Sequence, residues 1–177
     1  MTDDADLRRN GAQGIDTPNA SPDGRTLAAH TIRATMLVHL DRPIGERLEK
    51  IGEAVWNPQW SPDGQRIAGI ANDASEMPNG IAVYSLQTHR MEKVVEHGTS
   101  PLWLPDGKRM LFFDPQRIGV VDLDSRRTTL APFTPPGRVE TDITTTPHLS
   151  RDGATLFLRQ ELEQGDIWMV RFEKTRG

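Results

Sequence analysis

Four tight turns of nearly identical sequence recur along this chain: Ser21-Pro22-Asp23-Gly24, Ser61-Pro62-Asp63-Gly64, Leu104-Pro105-Asp106-Gly107 and Ser150-Arg151-Asp152-Gly153. Their glycines, at 24, 64, 107 and 153, step by 40, 43 and 46 residues. Just before each turn stand Pro18-Asn19-Ala20, Pro58-Gln59-Trp60, Pro101-Leu102-Trp103 and Pro147-His148-Leu149. The apolar pairs Leu27-Ala28, Ile67-Ala68, Met110-Leu111 and Leu156-Phe157 always begin three residues past the glycine. A register held through four copies defines one repeated structural unit. The turn itself has a mechanism, because proline presets φ, Asp bonds its own backbone, and Gly takes positive φ without a Cβ penalty. Leu104 and Arg151 break the motif at single positions, yet both copies keep Asp-Gly.

A third strand follows each turn: Thr35 to Leu40, Ile81 to Leu86, Ile118 to Leu123 and Ile167 to Phe172. These apolar runs suit strands buried on both faces between neighbouring sheets. A weaker fourth strand is expected at Glu46 to Ile51, Arg90 to Val95 and Arg127 to Pro132, where charges such as Glu92 and Lys93 guard an outer edge. Ile44 to Ala54 carries Gly45 and Gly52 and reads as a loop plus edge strand, not a helix. Short strands and tight turns at this period predict an all-β fold, a β-propeller of about four blades of antiparallel strands. The blades are expected at about 15–51, 52–96, 97–135 and 140–173, after a polar segment over 1–14.

Trp60-Ser61-Pro62-Asp63-Gly64 with its following strand and Ile81-Ala82-Val83-Tyr84 resembles the TolB-like, WD-like propeller repeat, across roughly residues 15 to 172. Gly165-Asp166-Ile167-Trp168-Met169-Val170 also resembles the end of propellers appended to bacterial Ser/Thr kinases and regulators. The resemblance implies six blades or more, so four point to a partial or open propeller from a larger one. Three arrangements would cover the open ends: Asp4 to Arg9 pairing as an outer strand of the last blade, which ends at Glu173 to Gly177 without one; a homodimer; or missing upstream blades. The last is favoured, since Asp4 to Arg9 is polar and a poor strand former.

Composition narrows the function classes. The 177 residues suit one domain, although 36% apolar and 6% aromatic residues leave a thin core. No cysteine is present, so disulfides and thiolate chemistry are excluded. A net charge of −4 and only paired arginines argue against a nucleic-acid partner. The acidic start lacks an apolar run, and no stretch approaches a membrane span. As written the chain reads as cytoplasmic; as part of a longer exported protein it would be periplasmic, which the TolB resemblance permits.

Catalytic signatures are missing: no Gly-x-Ser-x-Gly elbow, phosphate loop, dinucleotide fingerprint or His-Glu-x-x-His. His30, His39, His89, His97 and His148 have no ligand spacing and read as surface or satisfied core histidines. Asp23, Asp63, Asp106 and Asp152 read as turn residues rather than a metal ring, and Asp122-Leu123-Asp124 lacks the rest of a calcium loop. No cofactor and no metal is expected. Trp60, Trp103 and Trp168 align with apolar positions and read as core; Trp56 falls outside the positions the copies share and is a candidate contact. Asn19, Gln59, Leu102 and His148 occupy one position that varies while its neighbours stay fixed, as a binding surface on a repeated scaffold does. With Trp56 they form the predicted partner-binding set, against the plainer reading of packing variation. The expected function is a non-catalytic module binding protein or peptide, as the sensor or scaffold end of a bacterial signalling or envelope protein. The alternative is the accessory propeller of a prolyl-oligopeptidase-like hydrolase whose catalytic domain lies elsewhere.

Overall fold

In the computed structural model the described residues are 15–31, 34–53, 55–72, 77–114, 117–131, 138–139, 147–158, 160–161 and 168–171. The polar segment 1–14, with Asp4 to Arg9, and the tail Glu173 to Gly177 lie outside them. The chain divides into two compact units, Met1–His97 and Gly98–Gly177.

The first unit holds two four-stranded antiparallel sheets. One is β1 (Asp16–Ala20), β2 (Thr26–His30), β3 (Thr35–His39) and β4 (Leu48–Gly52), each paired with the next. The other is β5 (Val55–Trp60), β6 (Arg66–Asn72), β7 (Pro78–Ser85) and β8 (Arg90–Val95), in the same order. Between β3 and β4 a single 3-10 turn, Ile44–Glu46, follows Pro43. Glycines at 45 and 52 and a run of only eleven residues explain why no α-helix forms there.

The second unit repeats the sheet with β9 (Thr99–Trp103), β10 (Arg109–Asp114), β11 (Arg117–Asp122) and β12 (Thr128–Leu130). A two-residue ribbon, β13 (Arg138–Val139), comes next and pairs with β16 (Gln160–Glu161). The last sheet joins β14 (His148–Leu149), β15 (Thr155–Leu158) and β17 (Trp168–Arg171).

Consecutive burial marks the middle strands. All of Thr35 to Val38, Ile67 to Ile70, Ile81 to Tyr84 and Met110 to Phe113 are buried, as strands covered on both faces must be. The outer strands differ: Glu49 and Lys50 in β4, Glu92 and Lys93 in β8 and all of β12 are exposed. Within the first unit Ala28, Leu37 and Ile51 pack against Ile67 and Tyr84 of the neighbouring sheet. Within the second, Leu102, Leu111, Phe113 and Ile118 pack with Leu156 and Leu158.

The repeated turn is built the same way four times. The amide of Gly24, Gly64, Gly107 or Gly153 donates to the carbonyl three residues earlier at 2.8–2.9 Å, and each glycine has φ between +65° and +71°. In three copies the serine hydroxyl donates to the Asp carboxylate (Ser21–Asp23 2.6 Å, Ser61–Asp63 2.5 Å, Ser150–Asp152 2.6 Å) and accepts the amide that opens the next strand. The third copy has Leu104 in the serine's place, and Asp106 takes over. Its carboxylate accepts the amides of Lys108 and Arg109 and the Arg109 Nε at 2.6 Å. One carboxylate thus replaces a hydroxyl–carboxylate pair, which is why the turn tolerates the change.

Candidate functional site

The strand that leads each of the three four-stranded sheets is strained at one recurring point. Thr17, Asn57 and Ser100 have φ of +44°, +53° and +50°, and each immediately precedes a proline of the repeat. Non-glycine residues rarely adopt this left-handed conformation, at a cost of about 1–3 kcal/mol. At the same place the strand pairing shifts, between Asp16 and Asn19, between Trp56 and Gln59, and opposite Leu111 to Phe113. These are β-bulges, and a bulge bends its strand and re-aims the side chains beside it.

The bulge settles the position of Trp56. Asp16 pairs with His30, Trp56 with Ile70 and Thr99 with Phe113, so the three are equivalent residues at the start of successive leading strands. The expectation that Trp56 stands outside the shared positions is corrected: the copies share the position and vary its residue. Apolar-pattern reading misses this because a bulge inserts an unpaired residue and interrupts the period-2 alternation.

Asn19 and Gln59 are brought together, Asn19 Nδ2 lying 3.4 Å from Gln59 Oε1. Asn19 also joins β1 to β5: its Oδ1 accepts the Trp60 amide at 3.0 Å, and its carbonyl accepts Trp60 Nε1 at 3.1 Å. Both side chains are half-buried. Leu102 is buried, 7% exposed, inside the second unit's apolar cluster, so its side chain serves packing and offers no surface. His148 is exposed on β14, opposite Phe157, which is itself 48% exposed.

A group that sequence reasoning passed over lies beside Trp56. His30, at the end of β2, is 8% exposed. Its Nδ1 is 2.8 Å from Thr17 Oγ1, and its ring centroid is 6.5 Å from that of Trp56 at a 38° tilt. Asn72, in the amide orientation that satisfies both its ends, accepts from Trp56 Nε1 at 2.8 Å and donates to the Ala71 carbonyl at 3.2 Å. Burial lowers the His30 pKa, with the Asp16 carboxylate opposing that shift, so the imidazole is neutral near pH 7. The Asp16 carboxylate is exposed and accepts the amide of Thr17 at 2.8 Å. A signal for this group was present in the repeat, because His30 occupies the place that Ile70 and Phe113 fill in the next two sheets.

Chemically, the cluster offers an indole whose N–H is already engaged, a buried neutral imidazole with one nitrogen committed, and an exposed carboxylate. That is equipment for recognition. The repeated turn carboxylates, by contrast, are occupied within their own turns. Among the described residues no group of three or more His, Asp or Glu side chains is placed to hold a metal ion, and no helix is long and apolar enough to cross a membrane.

No protein-family profile matches the sequence, and no curated protein does. Solved structures do match the fold. The chain is similar to TolB from Agrobacterium tumefaciens, at 22% identity and a TM-score of 0.71, covering 90% of this chain and 58% of that one. It is similar to the β-propeller domain of Cps50 (Swd1) from Myceliophteria thermophila, at 16% identity and 0.63, over 84% and 49%. It is also similar to the tricorn protease, at 14% identity and 0.57, over 91% and 25%. The chain therefore has a TolB-like, WD-type β-propeller fold, and it spans about half the length or less of two of these structures and 58% of the third.

Proposed function

We propose that this chain is a non-catalytic β-propeller module that binds a protein or peptide through the bulged ends of its leading strands. One observation carries the reading. The strained position beside the proline keeps its backbone from sheet to sheet while the residue before it changes from Asp16 to Trp56 to Thr99. Strain of this kind, kept at one place in a fixed scaffold and fitted with different side chains, is how a repeat protein makes a recognition surface. Asn19 and Gln59 lie on the same two strands, and Asn19 ties those strands together. A role at the sensor or scaffold end of a bacterial signalling or envelope protein fits this module.

Selection of a displayed peptide library on the purified chain tests it. Peptides whose binding in solution falls at least about tenfold on Trp56→Ala are the expected result, one anchor of this kind being worth about 1.4 kcal/mol or more. Selected peptides that ignore Trp56, Gln59 and Asp16 would overturn the placement of the surface. Reproducible peptide hydrolysis by the pure chain would overturn the non-catalytic reading.

The similarity to the tricorn protease favours a second reading, an accessory propeller of a prolyl-oligopeptidase-like hydrolase. The reading frame's flanking DNA separates the two. A serine-nucleophile α/β domain encoded downstream supports the hydrolase, and a kinase or regulator domain upstream supports the interaction module.

A further inference from the structure

We propose that Asp16, His30 and Trp56 form a receptor for a cationic side chain, arginine or lysine, of the peptide partner. The inference rests on the peptide-binding reading above and names the chemistry of its ligand.

The three groups come from one strand start, one strand end and the equivalent strand start of the next sheet, so the bulges bring them together. The Trp56 N–H is held by Asn72, which fixes the ring, and the half-buried indole keeps part of its surface exposed. A cation over the face of an indole is attracted by the ring quadrupole, by about 0.5–1 kcal/mol when exposed and about 2 when desolvated. The carboxylate of Asp16 has, among the described residues, one hydrogen-bond donor, the amide of Thr17, and no basic side chain pairs with it. An ion pair at such an exposed group is worth only about 0–1 kcal/mol by itself. Neither term alone makes a site; acting on one bound cation, they do.

His30 supplies the third element. The receptor requires the tautomer in which Nδ1 donates to Thr17 Oγ1 and Nε2 is an acceptor, for which the described residues offer no donor. A buried acceptor without a donor is costly, and a guanidinium or ammonium has donors only. In the next two sheets along the chain the same place holds Ile70 and Phe113, so the repeat does not call for an imidazole there.

The test follows the Trp56 indole N–H resonance by NMR while acetylated, amidated Ala-Arg-Ala is added, with the lysine and citrulline versions as comparisons. Citrulline keeps the shape of arginine and removes the charge. The expected result is a saturating shift with arginine or lysine, at least about tenfold weaker with citrulline, as the combined charge terms require. Asp16→Asn, at an exposed position, is expected to weaken the arginine peptide about twofold to fivefold, and Trp56→Leu about twofold to thirtyfold. Equal binding of arginine and citrulline peptides, or an unchanged affinity in Asp16→Asn, would sink the cation receptor and leave the peptide-binding module standing. Absence of any shift up to about 100 mM arginine peptide also overturns it, since about 2 kcal/mol from a desolvated cation–π contact and up to about 1 from the ion pair correspond to a Kd of about 10 mM. Failure of the wider reading shows separately, as a displayed library that yields no binder sensitive to Trp56. Should Trp56→Leu prove unfolded by its amide spectrum, Asp16→Asn and the citrulline comparison decide alone.

Discussion

Ser61 is fully buried, and its hydroxyl links Asp63 to the Arg66 amide that opens β6. Ser61→Ala leaves that amide without its acceptor, so a loss of about 1–3 kcal/mol is expected, read as a lower urea midpoint at unchanged slope. The turn carboxylates carry a pH signature. Ser21 and the Arg25 amide hold the Asp23 carboxyl below its ordinary value of 3.8, and Ser150 with the Ala154 amide does the same to Asp152. A folded pKa below the unfolded one gives stability that is present above about 3.8 and lost as pH falls through the folded value. His30 works in the same sense at higher pH. Burial lowers its pKa from 6.5, so its contribution is complete above that value and declines as the unfolded chain takes up the proton below it. Thermal midpoints should therefore fall from pH 7 towards pH 5, and His30→Phe should flatten that segment. An identical slope in the variant would mean that His30 is not the group responsible.

At the level of elements, Asn19 is the clasp between β1 and β5. Asn19→Ala removes the acceptor for the Trp60 amide and is expected to destabilise by about 1–2 kcal/mol, whereas Asn19→Asp keeps that acceptor and should cost less. Equal losses in the two variants would assign the effect to something other than this bond. In the second unit the ring of Phe112 lies directly over Gly119 on the paired strand. A Cβ there would sit 2.3 Å from Phe112 Cζ, closer than any real contact. Gly119→Ala should cost about 1–3 kcal/mol by overpacking, and much less in a Phe112→Leu background. A double-mutant cycle reads the difference.

For the whole molecule, β15 alternates Leu156 at 0%, Phe157 at 48% and Leu158 at 5% exposure, so one face of the last sheet is packed and the other presents a phenylalanine. His148 and Phe157 stand opposite each other there. Leu156→Ala should therefore cost about 2–5 kcal/mol, whereas Phe157→Ser should change the urea midpoint little, and equal losses in the two variants would mean that both faces are covered. Turns and strands were open to sequence reading because their determinants are local: Pro-Asp-Gly sets the reversal, and apolar runs of fixed spacing set the strands between reversals. The period of 40 to 46 residues was enough to identify the blade, since a sheet of four short strands consumes about that length. The candidate site was open only in part. Gln59 could be singled out by how its position varies between copies, and Trp56 only as a tryptophan that fell outside the positions read as shared, but Leu102 varies in the same way as Gln59 and is core, because the composition of a position does not say which face a neighbouring sheet covers. The partnership of Asp16, His30 and Trp56 depends on bulges that break the strand alternation and on a contact between two sheets, and both exist only once the chain is folded. Local chemistry therefore determined the repeat and its turns, while tertiary structure alone decided which variable residues meet, because pairing register and sheet-to-sheet packing are set by contacts distant in sequence.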